Sequence, residues 1–227
     1  MLLTAFGAFL GAMLSLLVGI AIEYQRKPKL SVEVEDPPTD RVYPNAPASD
    51  ARFVRVVVRN RAMPGVLRWL GRSPAQQCMG YVQFHHLDDG APVFARPMPA
   101  RWAGADEPVS HQVLPSGQVA QLFDVARYNA AVRRDCYPGI PEPLDVAVRF
   151  DSDDDCYGWS NENYLPGKGW RNPDFKLPRG RYLVTVTIRS SGEDVFSVFK
   201  LENSVGRQHF RLLEASQAET IKVRSDG

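Results

Sequence analysis

Residues 2–22 carry no charged side chain, and beyond Lys29 the chain switches to short alternations of apolar and polar positions. The two patterns predict different structures. At 1.5 Å rise per residue the first stretch makes a helix of about 30 Å, enough to cross a hydrocarbon core. The alternations have the two-residue period of strands with one buried face. "LSVEVE" (30–35) aligns Leu30, Val32 and Val34, and "RFVRVVVRN" (52–60) aligns Val54, Val56 and Val58 with arginines opposite. "CMGYVQFHHL" (78–87), "QVAQLFDV" (118–125), "LDVAVRF" (144–150), "RYLVTVTIRSSGEDVFSVFKL" (181–201, a hairpin over 190–193) and "HFRLL" (209–213) continue the series. A short helix is expected at 127–134. Strands separated by Gly, Pro and Asp turns, with no long amphipathic helix between them, predict a mainly β chain. The expected order is a transmembrane helix (2–22), a basic juxtamembrane linker (23–30), an antiparallel sandwich (31–213) and a flexible tail (214–227).

A cleaved secretory signal is the alternative for the first segment. Such a signal has a positive n-region and an apolar stretch of about 7–15 residues. Here no Lys or Arg precedes the run, the run is longer, and Gly19-Ile20-Ala21 is a poor cleavage site. A retained anchor is expected. Arg26, Lys27 and Lys29 follow the span, while its other flank offers only Met1. Lys and Arg are retained on the cytoplasmic side, so the sequence predicts a single-pass protein of the inner (plasma) membrane, N-terminus out and C-terminal domain cytoplasmic. Gly7, Gly11, Ser15 and Gly19 recur every fourth residue. Small residues in that register form a groove into which a second helix packs, which predicts a homo-oligomer through the span.

Composition narrows the partners. Of 27 basic and 26 acidic residues, Arg26, Lys27, Lys29 and Glu23 belong to the helix end, so the remainder has a net charge of −1. That balance excludes nucleic acid, which needs a basic face. Cys78, Cys136 and Cys156 are odd in number and lack metal-ligand spacing. In an external domain Cys136 and Cys156 would be free to pair; a reducing compartment leaves all three as thiols.

Three stretches carry a resemblance. "LPRGRYLVTVTI" (177–188) resembles the Gly-x-Tyr-x-Val entry into a late strand of immunoglobulin-like sandwiches, and "FVRVVVRN" the early strand ending in Asn of many prokaryotic modules of that kind. "IEYQRKPKLSVEVE" is similar to the junction in uncharacterised prokaryotic single-span membrane proteins with such a domain. The resemblance implies an immunoglobulin-like β-sandwich. In that fold a tyrosine, here Tyr182, bonds back to upstream backbone, and Val184 stands where disulfide-bonded members carry cysteine. It implies no activity.

Candidate chemistry is sparse. "DSDDDCYGWSNE" (151–162) places Asp151, Asp153, Asp155 and Glu162 at positions one, three, five and twelve of a calcium loop. Cys156 occupies the place of the turn glycine, and the competing reading is a solvated acidic turn. His85 and His86 are neighbours on a strand and point to opposite faces, so they cannot share a metal. No nucleophile elbow or P-loop is present, "LPGKGW" included, and the chain is expected not to be an enzyme. Tyr157, Trp159, Tyr164 and Trp170 crowd the same excursion. They either roof one end of the core or form a recognition surface for a protein partner. The functional expectation is a membrane-anchored, cytoplasm-facing adaptor or sensor module. Its rivals are an externally displayed adhesion domain and an effector that perturbs the membrane through its small-residue helix face.

Overall fold

The structure is a computed structural model that describes residues 2–41, 50–165, 168, 170–192 and 194–224. Residues 42–49 of the 36–51 connection, Pro166, Gly167 and Gly169 of "LPGKGW", Glu193 of the expected hairpin turn and residues 225–227 lie outside the described residues.

Helix α1 (Leu2–Arg26) runs one turn beyond Ile22 and stops ahead of Pro28, which has no N–H to donate and disfavours helical geometry at Lys27. No residue of its apolar window Phe9–Arg26 is buried, and by length and composition the helix can cross a membrane. A leader sequence near an N-terminus meets the same criterion.

The rest is mainly β. In chain order the strands are β1 (Leu30–Val34), β2 (Thr39–Arg41), β3 (Ala51–Asn60), β4 (Ala75–His86), β5 (Met98–Pro99), β6 (Arg101–Trp102), β7 (Val109–Val113) and β8 (Val119–Phe123). After α2 (Val125–Ala130) come β9 (Arg133–Cys136), β10 (Pro141–Phe150), β11 (Cys156–Gly158), β12 (Lys176–Leu177), β13 (Gly180–Arg189), β14 (Val195–Asn203) and β15 (Phe210–Glu214), then α3 (Gln217–Arg224). One sheet has the order β1-β3-β10-β11-β12, with β2 on β3 and β6 on β10; the other runs β15-β14-β13-β4-β5, with β9 on β4. The pairings within both are antiparallel.

The two sheets share one core. Val54, Val56 and Val58 of β3 and Leu144 of β10 join Val82 and Phe84 of β4 and Val184 and Val186 of β13 in a single buried cluster. Each such side chain contributes about 1.5–3 kcal/mol by leaving water.

A bulge in β10 creates a second core. Strict alternation from Leu144 would send Val148 and Phe150 into the shared core. The register against β3 shifts between Asp145 and Ala147, which turns both to the outer face of the first sheet. There they meet Phe53 and the aromatics of the 151–176 excursion.

Three expectations change here. The 118–125 strand leaves the sandwich and pairs with β7 as a separate hairpin. The short helix occupies 125–130, because the Asp124 carboxylate accepts from the backbone N–H groups of Ala126 and Arg127, and residues 133–136 are a strand. The expected tail is instead a docked helix. Lys200 meets Glu219 at 3.3 Å, and the Lys222 ammonium donates to the carbonyls of Leu87 and Asp88. The approach is close at Gly90, where a Cβ would lie 2.9 Å from the Lys222 carbonyl oxygen.

Candidate functional site

The residues singled out by sequence do not converge. The four carboxylates of the calcium-loop pattern each take a different cation. Asp151 pairs with Arg207 at 2.6 Å, Asp153 with Arg171 at 2.5 Å, Asp155 with Lys176 at 2.7 Å and Glu162 with Arg96 at 3.0 Å. Among the described residues no group of three or more His, Cys, Asp or Glu side chains could hold a metal. The reason is local. Without glycine at position six the chain enters β11 at Cys156 rather than wrapping around an ion, and Glu162 is carried away on a helical turn. The segment is a turn with Asp151 and Asp154 exposed, as the competing reading expected, and its acids are paired with cations at the surface. Asp40 links Arg52 and Arg207 beside Asp151, and the Arg52 hydrogen bond, with Arg207, holds its carboxyl below the usual range.

Tyr157, Trp159, Tyr164 and Trp170 are brought together, but inward. All four are buried in the second core, Trp159 meeting Phe53 edge-on at 5.2 Å and Tyr164 at 5.3 Å. Asn163 holds the roof in place, donating to the Gly158 and Trp170 carbonyls and accepting from the Ser160 N–H. They roof the outer face of the first sheet rather than present a recognition surface. Burying aromatic rings outweighs displaying them because Phe53, Val148 and Phe150 otherwise face water.

Gly7, Gly11, Ser15 and Gly19 lie on the exposed α1. A Cβ at any of the three glycines would meet nothing within 4 Å, and the Ser15 hydroxyl donates to the Gly11 carbonyl.

The concave site was not singled out by sequence. On the outer face of the second sheet, Tyr81, Gln83 and His85 of β4 stand beside Thr185 and Thr187 of β13, with Phe94 and Phe196 as walls. They enclose a half-open groove of about 510 Å³, the size of a small-molecule pocket. Nδ1 of His85 lies 2.9 Å from the Gly90 carbonyl, which can only accept, so that nitrogen carries a proton. Nε2 then meets the Thr185 hydroxyl at 3.1 Å, which fixes the ring plane. Gln83 donates to the Phe94 carbonyl, and its own buried amide oxygen has no hydrogen-bond partner. The sequence held one sign of this. The outward positions of β4 read Tyr, Gln, His, and those of β13 Leu, Thr, Thr before Arg189, which is the charged residue of the lining.

The three cysteines are buried thiols. Cys136 lies beside Cys78, to whose thiol it is hydrogen-bonded, and not beside Cys156.

No protein-family model matches the chain, and no curated protein matches it. A solved structure of a family 123 glycoside hydrolase from Clostridium perfringens, from work on glycolipid glycan hydrolysis, is similar over 76% of this chain, at 8% identity and a TM-score of 0.34. The chain spans about a quarter (26%) of the length of that protein. The sequence-based expectation that this chain is not an enzyme is withdrawn on that finding. At so low a TM-score the likeness brings no reaction, substrate or catalytic residue with it.

Proposed function

We propose that the chain is a membrane-anchored, cytoplasm-facing adaptor or sensor module that binds its ligand in the groove of the second sheet. The observation that carries this reading is the junction: an exposed apolar helix leads straight into a domain with its own core. The Ser73 N–H donates to the Arg26 carbonyl at 2.8 Å, and Arg72 donates to that of Lys27 at 2.6 Å. Arg61, Arg68 and Arg72 add positive charge to Arg26, Lys27 and Lys29, against one acid, Glu23, within segments 23–29 and 61–73. That asymmetry supports a cytoplasmic domain. The domain is read as immunoglobulin-like, supported by two antiparallel sheets on one core and by the Tyr182 contact with Pro178. The small-residue face of α1 is where a second copy of the span packs.

Protease added to intact spheroplasts tests the topology. Residues 30–224 should survive in intact cells and be cut after lysis; cutting in intact cells overturns the cytoplasmic placement. Thr187→Trp tests the groove. It fills the space from an outward position, so it should abolish binding of an apolar dye such as anilinonaphthalene sulfonate while leaving the melting temperature unchanged. Unchanged dye binding would remove the groove from the proposal.

A further inference from the structure

Two loops beside the end of α1 expose large apolar side chains that the domain does not use. The helical turn at Gly65–Leu70 has no buried residue, and Val66 and Trp69 are 85% and 78% exposed. In a 3₁₀ turn residues three apart eclipse, so these two form one apolar ridge. The turn at 137–140 exposes Tyr137 and Ile140, 51% and 50%.

Hydrogen bonds tie both loops to the point where the helix stops. Asn60 is the joint. Its side chain accepts from the Lys29 N–H at 3.1 Å and donates to the Ser73 and Cys136 carbonyls, while its own carbonyl accepts from Gly139. Arg72 closes the ring by donating to the carbonyls of Gln25 and Lys27. Trp69 is four residues from Ser73 and so at most about 14 Å along the chain from the helix end. The same rim carries Arg61 and Arg68, both exposed.

We propose that this rim is a collar that docks on an anionic lipid surface, with Val66, Trp69, Tyr137 and Ile140 seated at the headgroup level and Arg61 and Arg68 on lipid phosphates. The proposal rests on the reading of α1 as a retained span. A span that ends at Arg26 holds Trp69 within about 14 Å of the interface, and the β13–β14 turn, with Asp194, lies beside Pro28–Leu30 at the same end. Tryptophan and tyrosine are the side chains that settle at that depth, and basic residues beside them gain from an anionic leaflet. Exposed in water, the same ridge would be an aggregation liability. The collar would hold the domain upright, with β10 running about 33 Å away from the bilayer towards the paired charges at Asp151 and Arg207.

The test uses the full chain reconstituted in vesicles of phosphatidylcholine and phosphatidylglycerol, some carrying lipids brominated near the headgroup. Trp102, Trp159 and Trp170 are buried, so contact quenching reads Trp69. Flotation with the vesicles, together with bromolipid quenching that is lost in Trp69→Phe and weakened in an Arg61→Glu/Arg68→Glu variant, supports the collar. Flotation with no difference between wild type and Trp69→Phe overturns the collar but leaves the anchor standing. Quenching of Trp69 by aqueous iodide instead also overturns it and leaves the ridge to a protein partner. Failure to float overturns both.

Discussion

The Tyr182 hydroxyl donates to the carbonyl of Pro178, four residues upstream, at 2.9 Å. Pro178 also accepts from the Asn203 amide, so the entry to β13 is tied to its own approach and to the end of β14. The ring packs in the shared core while the hydroxyl reaches backbone.

Tyr182→Phe removes that bond and keeps the ring. The loss should be about 1 kcal/mol, read as a lower urea midpoint with an unchanged m-value. The same variant should change the alkaline limb. Burial, with Cys156 and Asp155 nearby, pushes the Tyr182 phenol up from 10.0 to about 12. Between those values the unfolded chain loses a proton that the folded chain keeps, so stability falls as pH rises. Phenylalanine should flatten that fall; an identical alkaline slope in both proteins would sink the assignment.

Asn60 ends β3 and is completely buried. Asn60→Ala leaves the Lys29 N–H and the Ser73 and Cys136 carbonyls without their partner. Each orphaned buried group costs about 1–3 kcal/mol, so unfolding in mild detergent should show a loss of at least about 2 kcal/mol. Asn60→Asp is the sharper test. It keeps an acceptor for Lys29 but faces two carbonyls with no donor, and it should destabilise as much as alanine does.

These two residues also mark what the sequence made legible. Strict alternation located β1, β3, β4, β10, β13, β14 and β15, because those strands bury one face over five or more residues. The asparagine after "FVRVVVR" and the tyrosine after "PRG" were visible as landmarks, since each ends or begins a strand at a fixed place. Strands of two or three residues, such as β5 and β12, are too short to show a period. The second core was hidden by the β10 bulge. A one-residue shift moves Val148 and Phe150 to the other face, and no pattern in "LDVAVRF" records it. With that face unseen, Trp159 and Tyr164 had nothing to cover and read as a surface. Phe53 and Val57 were the available warning, apolar at the outward positions of β3.

Calcium should do nothing measurable. Asp151, Asp153, Asp155 and Glu162 each face their own cation, and an ion would have to displace them from four directions. An ion that does not bind the native state adds nothing to its stability, so millimolar calcium should leave the melting temperature within about a degree of its EDTA value. Arg207→Ala is the contrasting variant. It frees Asp151 and leaves Asp40 with Arg52 alone, and the loss should be within the 0–1 kcal/mol of exposed pairs or just above it. A rise of several degrees in calcium, lost in Glu162→Gln, would restore the loop as a metal site.

The thiols test the packing and the topology at once. Cys156 is fully enclosed, and burial pushes its thiol well above the usual range. Cys136 is pushed up by the hydrogen bond with the Cys78 thiol and then by burial. The Cys78 thiol is lowered by that same hydrogen bond and is kept from reagent by its complete burial, so iodoacetamide at neutral pH should label none of the three in the native protein and all of them in denaturant. A Cys136–Cys156 bridge is ruled out by distance. Cys136 lies at the Pro141 end of β10 and Cys156 across from its far end, about 26 Å along eight residues of strand, where a disulfide tolerates about 7 Å between Cα atoms. Export of the domain to an oxidising compartment should therefore leave Cys156 reduced, with Cys136 able to pair only with its neighbour Cys78 on β4. Peptide mapping without reductant that found Cys136 joined to Cys156 would show that β9 and β11 are not where the fold places them.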